Sequence, residues 1–322
     1  MKRRIRVAIP EESAGASLLE FLCARFPYQS AREWGERVEK GLVRVNGRAG
    51  AASEKLACGD VVGHTASDVP EPPVDDRIDI LHDDADIVVV NKSGNLPCHP
   101  GGRYFEHTLW GILKARYGVE SPEIVNRLDR ETSGIVLVAR HAEASRKCRA
   151  QFSRRKVRKK YVVLVEGAFP REVEACGFVV ADERSANPKR RRFVPATAEE
   201  RTERESEWAE TTFRSLRCVG SLSLVEVIPH TGRQHQIRAT LLALGFPVVG
   251  DKLYGMDPGI FLRFCRDELT DADHLQMRMG RQALHASTLE FSHPSTREKL
   301  QIEAPLPEDM SELMRRLDAS GR

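Results

Sequence analysis

The sequence predicts a chain of mixed helix and strand, divided into a small N-terminal unit and a larger body. Apolar runs of strand length, such as Ile87-Val88-Val89-Val90, Ile135 to Ala139, Tyr161 to Val165 and Leu222 to Ile228, alternate with helical stretches. The helical stretches fall at 109–114, at 142–152, and through Leu241, Leu242 and Leu244 up to Gly245. Residues 65–77 are rich in Pro and Asp and have no periodicity, so they read as a semi-extended linker. A length of 322 residues leaves room for one large domain and a small one. The expected division is 1–64, a linker at 65–77, and 78–322.

In the first part, Ser17 to Leu22 and Ala31 to Lys40 read as two short helices, the second closed by Gly41. Leu42 to Arg48 alternates as a strand does and contains Asn46-Gly47, a two-residue hairpin turn; Gly59-Asp60-Val61-Val62 begins another strand. Lys40 to Gly47 and Leu56 to Val62 resemble the αL-type RNA-binding module. In that module a helix pair and the following turn rest against RNA. Basic residues on the helices are sparse: Arg25, Arg32, Arg37 and Lys40. A small folding domain without a ligand is the alternative.

Composition excludes several classes. The 50 basic and 47 acidic side chains nearly cancel, so any polyanion site must come from local clustering rather than net charge. Seven scattered Cys with no Cys-x-x-Cys argue against a disulfide framework or a zinc site; Cys98-His99 is the one close Cys/His pair. The basic start Met1-Lys2-Arg3-Arg4 is not followed by an apolar signal core, and no apolar run approaches membrane-spanning length. A reduced, cytoplasmic protein with no membrane partner is expected.

Two stretches carry charge in unusual density. Arg146, Lys147, Arg149, Arg154, Arg155, Lys156, Arg158, Lys159 and Lys160 run without an intervening acid. A solvated helix face usually interleaves both signs, so this run favours a polyanion. Residues 182–207 include Lys189-Arg190-Arg191-Arg192 and then a mixed run, which reads as a hairpin or insertion able to close over a substrate, or as a solvated loop.

The third charged stretch is Asn126-Arg127-Leu128-Asp129-Arg130-Glu131-Thr132-Ser133-Gly134, which opens into the apolar run 135–139. A lone Asp there is usually a turn former. Here arginines flank it, and a strand fixes it on the rim of a sheet, where working residues tend to sit. Far along the chain, His235 and Arg238 lie three residues apart in Thr231-Gly232-Arg233-Gln234-His235-Gln236-Ile237-Arg238, a spacing that puts them on one face of a first helical turn.

Arg127 to Gly134, Tyr161 behind a Lys pair, and Thr231 to Arg238 resemble, in order, the three signature motifs of the RluA-type pseudouridine synthases. Leu284-His285-Ala286 and Phe291-Ser292-His293-Pro294 resemble the C-terminal strand motif of that family. The resemblance covers about 78–308. It implies an α+β fold with a large mixed, mainly antiparallel sheet, flanking helices and a central cleft. It also implies isomerisation of uridine in RNA without cofactor or metal, in which the bond from ribose to the ring nitrogen is broken and remade to carbon 5.

Detaching uracil builds positive character on the anomeric carbon, so a carboxylate nucleophile or ion-pair partner is required. By resemblance that is Asp129. Arg238 matches its partner, which keeps it ionised in a dry pocket. Tyr161 matches the residue that stacks on uracil and is a candidate for moving a proton. The target base must be flipped out of the stack, and Arg127 matches the residue that fills the space. Arg233 and His235 belong to the same motif and are expected to bind substrate. Arg154, Arg155, Lys156, Arg158, Lys159 and Lys160 are expected to hold RNA phosphates. Asn126 replaces the usual His of the family, and Lys92-Ser93-Gly94 departs from Lys-Pro-x-Gly.

The resulting expectation is a monomeric RNA pseudouridine synthase acting on ribosomal RNA, with transfer RNA as the alternative target. A second reading is a non-catalytic RNA-binding factor in ribosome assembly, which would have no evident need for Asp129, Tyr161 and Arg238 together. A retaining glycosidase lacks an identifiable acid/base carboxylate.

Overall fold

The computed structural model describes residues 4–26, 29–65, 71–185 and 187–320. The basic residues 1–3 and the linker stretch 66–70 lie outside the described residues. The chain divides into two compact units, Met1–Pro73 with Pro100–Glu106, and Val74–His99 with His107–Arg322. The end of the expected linker, Val74 to Arg77, belongs to the larger unit.

The smaller unit runs β1 (Arg4–Ala8), α1 (Leu18–Arg25), α2 (Ala31–Glu39), β2 (Val43–Val45), β3 (Arg48–Ala49) and β4 (Val61–Thr65). Ser17 and Ser30 cap the two helices, each in a reciprocal box with Glu20 and Glu33. The β2–β3 hairpin turns at Asn46 and Gly47, both with positive φ, as a two-residue primed turn requires. The four strands order as β1-β4-β2-β3, and Leu18, Leu22, Trp34, Val43 and Val45 are fully buried. Of the four basic helix residues noted above, Arg37 is buried beside the Trp34 ring and Arg32 pairs with Glu36. Arg25 and Lys40 are exposed.

The larger unit begins β5 (Ile78–Asp83), β6 (Ile87–Lys92), α3 (Leu109–Arg116), β7 (Glu123–Ile124), β8 (Ser133–Ala139), α4 (Ala142–Ser153) and β9 (Arg158–Glu166). It continues β10 (Glu172–Ala181), β11 (Arg191–Pro195), β12 (Trp208–Val219), β13 (Leu222–Pro229) and α5 (Gln236–Ala243). It ends α6 (Ile260–Arg266), α7 (Asp271–Met277), β14 (Leu284–Ser292), β15 (Lys299–Glu303) and α8 (Glu308–Ser320). One sheet takes the order β11-β10-β12-β13-β9-β14-β8-β6-β5, with β15 on β14 and β7 on β8. Its ladders are antiparallel except for a two-residue parallel contact, His285↔Ser133 and Ala286↔Gly134. The fold is therefore the expected α+β arrangement with a mainly antiparallel sheet. The charged segment 182–207 forms the return arm β11 and a single 3-10 turn at Ala198–Glu203.

Two of the apolar clusters on the sheet meet at one seam. One gathers Val163, Phe213, Val225, Val227 and Leu241; the other gathers Val88, Val90, Leu109, Val136 and Val138. Tyr161 packs against both. The seam between them lies where β14 meets β8 on one side and β9 on the other. A bulge between Ala286 and Thr288 faces Tyr161 and Lys160 there, and bulges re-aim the side chains beside them.

At the seam Gly134 has a φ of +111°, and a Cβ on it would lie 2.2 Å from the Ala286 carbonyl oxygen. Only glycine lets β8 and β14 approach this closely. Next to it, Ser133 Oγ lies 3.0 Å from His285 Nδ1, in the interior. Burial lowers the pKa of His285 to about 4, so the ring is neutral at physiological pH.

Two predictions follow from this contact. Gly134→Ala should destabilise the protein by about 2–4 kcal/mol in urea titrations, since strain and overpacking add. A variant as stable as the parent would show that the strands can separate at no cost. His285 protonates in the unfolded chain near its ordinary value of 6.5 but stays neutral in the fold down to about pH 4. Its contribution is therefore complete above pH 6.5 and declines as the pH falls from 6.5 toward 4. His285→Asn should remove on the order of 2 kcal/mol of the stability difference between neutral and mildly acid solution. Parallel pH curves for the two proteins would contradict the assignment.

Candidate active site

The loop 126–132 is held by neighbouring segments that satisfy its backbone as well as by its own side chains. Lys92, fully buried, donates from Nζ to the carbonyls of Ser93 (2.7 Å) and Arg130 (3.2 Å). Leu96 N–H donates to the same Arg130 carbonyl, and Leu128 N–H donates to Cys98 Sγ. Asn126 accepts from Leu137 N–H (2.7 Å) and donates to the Ile135 carbonyl, which ties the loop to the edge of β8. The amide thus satisfies backbone groups at the position where the family usually carries His.

Asp129 emerges from this loop beside Arg238 of α5, with Oδ2 2.8 Å from Nη1. The other face of the Arg238 guanidinium grips Asp251, with Nε at 2.6 Å and Nη2 at 2.8 Å from its two oxygens. Asp251 is completely buried, and its Oδ1 also accepts the Leu253 and Tyr254 N–H groups. Burial works to raise the pKa of Asp129, but Arg238, and after it His235, outweigh that and hold it below the ordinary carboxylate value. Arg238 is pushed upward by its two carboxylates against the burial that opposes them.

His235 precedes α5 in a left-handed conformation rather than lying on its first turn, as spacing alone suggested. It still reaches the site: Nε2 lies 3.8 Å from Asp129 Oδ1 and Nδ1 lies 2.9 Å from the Tyr254 hydroxyl. That hydroxyl accepts the Arg191 N–H, so its own proton is available to His235 Nδ1, leaving the Nε2 proton toward Asp129. Burial lowers the pKa of His235, which favours the neutral ring. Gln236 secures the approach, accepting from Thr231 Oγ1 and Arg233 N–H while donating to Glu210 O and Thr211 Oγ1.

Asp129, His235, Gln236 and Arg238 line a cavity of about 110 Å³ together with Arg127, Lys159, Tyr161, Thr231, Arg233 and Leu284. Burial, and then the Asp129 carboxylate, push the Tyr161 phenol up to about 12, so it is un-ionised at neutral pH. Arg127 is exposed at the mouth. Arg233 commits Nε to the Trp208 carbonyl (2.9 Å) and Nη2 to that of Glu205 (3.1 Å), bracing the wall. Arg130 lies over the Phe264 ring and contacts Glu131, whose carboxylate accepts from Lys252.

The long basic run is divided by the fold. Arg149 meets Glu123, Arg155 meets Glu205, Arg158 meets Glu290 and Lys160 meets Glu226. The acids that the local sequence lacks are thus supplied from other elements. Arg154 and Lys156 are exposed and carry no ion pair among the described residues. Lys159 turns into the cavity.

Sequence reasoning missed Asp251, Tyr254 and the role of Lys92 as an anchor of the loop. A carboxylate directly after the apolar run Phe246 to Val249 and Gly250 was the available signal. Asp84, Asp86 and His293 also come together, but their atoms are turned to one another, to His82 and His141, and to backbone N–H groups. They join the β5–β6 turn to the end of β14.

The family profile described as RNA pseudouridylate synthase matches residues 86–243. An uncharacterized RNA pseudouridine synthase of Bacillus subtilis is 32% identical over 99% of both chains. The chain belongs to the RNA pseudouridine synthase family. It is an isomerase acting on RNA, of the RluA type. A ribosomal large subunit pseudouridine synthase D of Xylella fastidiosa is 32% identical over 96% of this chain and 91% of its own. The fold is shared with human RNA pseudouridylate synthase domain containing 1, at a TM-score of 0.55 and 23% identity over 78% of this chain and 98% of that one. Among the described residues no helix is long and apolar enough to cross a membrane.

The site makes a prediction about pH. With Arg238 in place, Asp129 stays ionised to below its ordinary value of 3.8, so no acid limb from this group should appear in kcat/KM above about pH 5. Arg238→Lys cannot grip Asp251 and reach Asp129 together, which leaves burial less opposed. Its acid limb should move upward, with kcat at neutral pH lower by roughly a hundredfold. An unshifted limb would mean that Arg238 does not set the ionisation of Asp129.

Proposed function

We propose that the chain converts uridine to pseudouridine in ribosomal RNA, acting as a monomer in the cytoplasm, with Asp129 as the nucleophile. The observation that carries the reading is the single carboxylate at the cavity, held ionised by Arg238 at 2.8 Å beside the Tyr161 ring. A flipped uridine enters with its ribose toward Asp129 and its base against Tyr161. The anomeric carbon meets the carboxylate as the bond to N1 breaks; uracil turns, and carbon 5 attacks in its place. The Tyr161 phenol, un-ionised, can donate a proton or stack but starts with none to gain. Arg127 occupies the space left by the base, His235 and Arg233 shape the pocket, and Arg154 and Lys156 hold phosphates.

Ribosomal RNA is favoured because relatives covering nearly the whole chain, such as the Xylella fastidiosa protein, carry a ribosomal large subunit name. The αL-like N-terminal unit supports the same choice, with its exposed Arg25 and Lys40 turned to solvent. Transfer RNA is the alternative target.

Asp129→Asn and Asp129→Ala should lower pseudouridine formation by at least roughly 10³-fold while RNA binding persists. Product formation by either variant at near the parent rate would remove Asp129 from the mechanism. Comparing pseudouridine maps of total RNA from strains with and without the gene should show a missing site in ribosomal RNA. A site missing only from transfer RNA would overturn the target assignment.

A further inference from the structure

Lys159 stands out from its neighbours in the basic run. Strand alternation sends Arg158 and Lys160 outward, to Glu290 and Glu226, and sends Lys159 to the same side as Tyr161. Its Nζ donates to the Thr231 carbonyl at 3.1 Å, and among the described residues it has no carboxylate partner. Gly232 leaves room over it: a Cβ there would come to 3.7 Å from Nζ. Burial alone depresses its pKa. An ammonium with three donors, one carbonyl partner and little access to water is a cost to the free protein unless an anion arrives.

The reaction generates one inside the cavity. When the C1′–N1 bond breaks, its electron pair leaves with the base, as a uracil anion delocalised over N1, O2 and O4. C1′ bonds to a carboxylate oxygen of Asp129. After C5 has attacked C1′ and displaced that oxygen, the proton on C5 is lost and N1 is protonated, so product and substrate have the same atoms. Arg238 is occupied by Asp129 and Asp251, which leaves the departing base without that cation.

We propose that Lys159 stabilises the uracil anion as it separates from ribose, rather than contacting the RNA backbone. This rests on the uridine-isomerase reading of the cavity. The charge is fixed before reaction and aimed at where negative charge develops, so it lowers the barrier more than it strengthens binding.

The test compares the wild type with Lys159→Met and Lys159→Arg in single-turnover reactions at saturating protein. The RNA carries the mapped target as uridine or as 5-fluorouridine, whose base anion is intrinsically more stable, and consumption of the target nucleoside is followed. Lys159→Met should react about a hundredfold more slowly on uridine, with RNA affinity nearly unchanged and a defect at least about tenfold smaller on the fluorinated target. Lys159→Arg, which keeps the charge, should recover most of the rate. An equal defect on both targets overturns the proposal. So does a loss confined to affinity with a salt slope lower by about one, the signature of a phosphate contact. A fully active Lys159→Met overturns it alone, whereas a wild type inactive on both RNAs overturns the reading of the cavity as well. Thermal unfolding of each variant separates loss of fold from loss of rate.

Discussion

The guanidinium of Arg238 is shared between two carboxylates, and that sharing orders the rest of the pocket. Asp251 takes two of its donors in a fully buried, bidentate grip, which leaves a third aimed at Asp129. An arginine held by Asp129 alone could swing with it. Held from behind by a carboxylate that itself accepts two backbone N–H groups, it becomes a fixed reference for the Asp129 oxygens. Losing one member of such a buried pair typically costs about 3–5 kcal/mol, so the arrangement is demanding as well as useful. The same turn that supplies Asp251 supplies Tyr254, whose hydroxyl directs His235 toward Asp129. One short segment after α5 thereby sets both basic groups around the carboxylate.

The second constraint is on the backbone. Asp129 must stand at the rim of β8 while β14 comes close enough to pair with it in parallel, and Gly134 is the residue that permits that approach. Lys92 and Cys98 satisfy backbone groups of the loop, and Asn126 ties its start to β8. Lys92 illustrates the cost: burial lowers its pKa to about 8, and it is retained for the carbonyls it satisfies.

How much of this was legible varied with the physics of each residue. Asp129, Tyr161 and Arg238 were legible as a set because each sits in a compact local string resembling a family motif, and the fold brings them to one cavity. The strands from Ile87, Ile135 and Leu222 were legible as apolar runs. Asp251 was not, because a carboxylate after Gly250 looks like a turn former until Arg238 folds against it. The ion pairs of the basic run were hidden for a related reason. Its acids, Glu205, Glu226 and Glu290, come from distant strands and turns and are invisible to a local scan. A strand beginning at Arg158 alternates its side chains, so a row of like charges divides into one inward cation and two outward ones. The edge strand β11 was hidden inside the charged segment 182–207, because charge is compatible with strand structure at the edge of a sheet.

The central claim is that Asp129 is held as an anion by a cation that Asp251 fixes in place. It is tested most directly by titrating the Asp129 side-chain carbon with site-selective ¹³C NMR in the parent and in Asp251→Asn. The Asp129 pKa should lie below 3.8 in the parent and rise toward or above it in the variant. A parent value at or above 3.8, or one that does not move when Asp251 loses its charge, would contradict it.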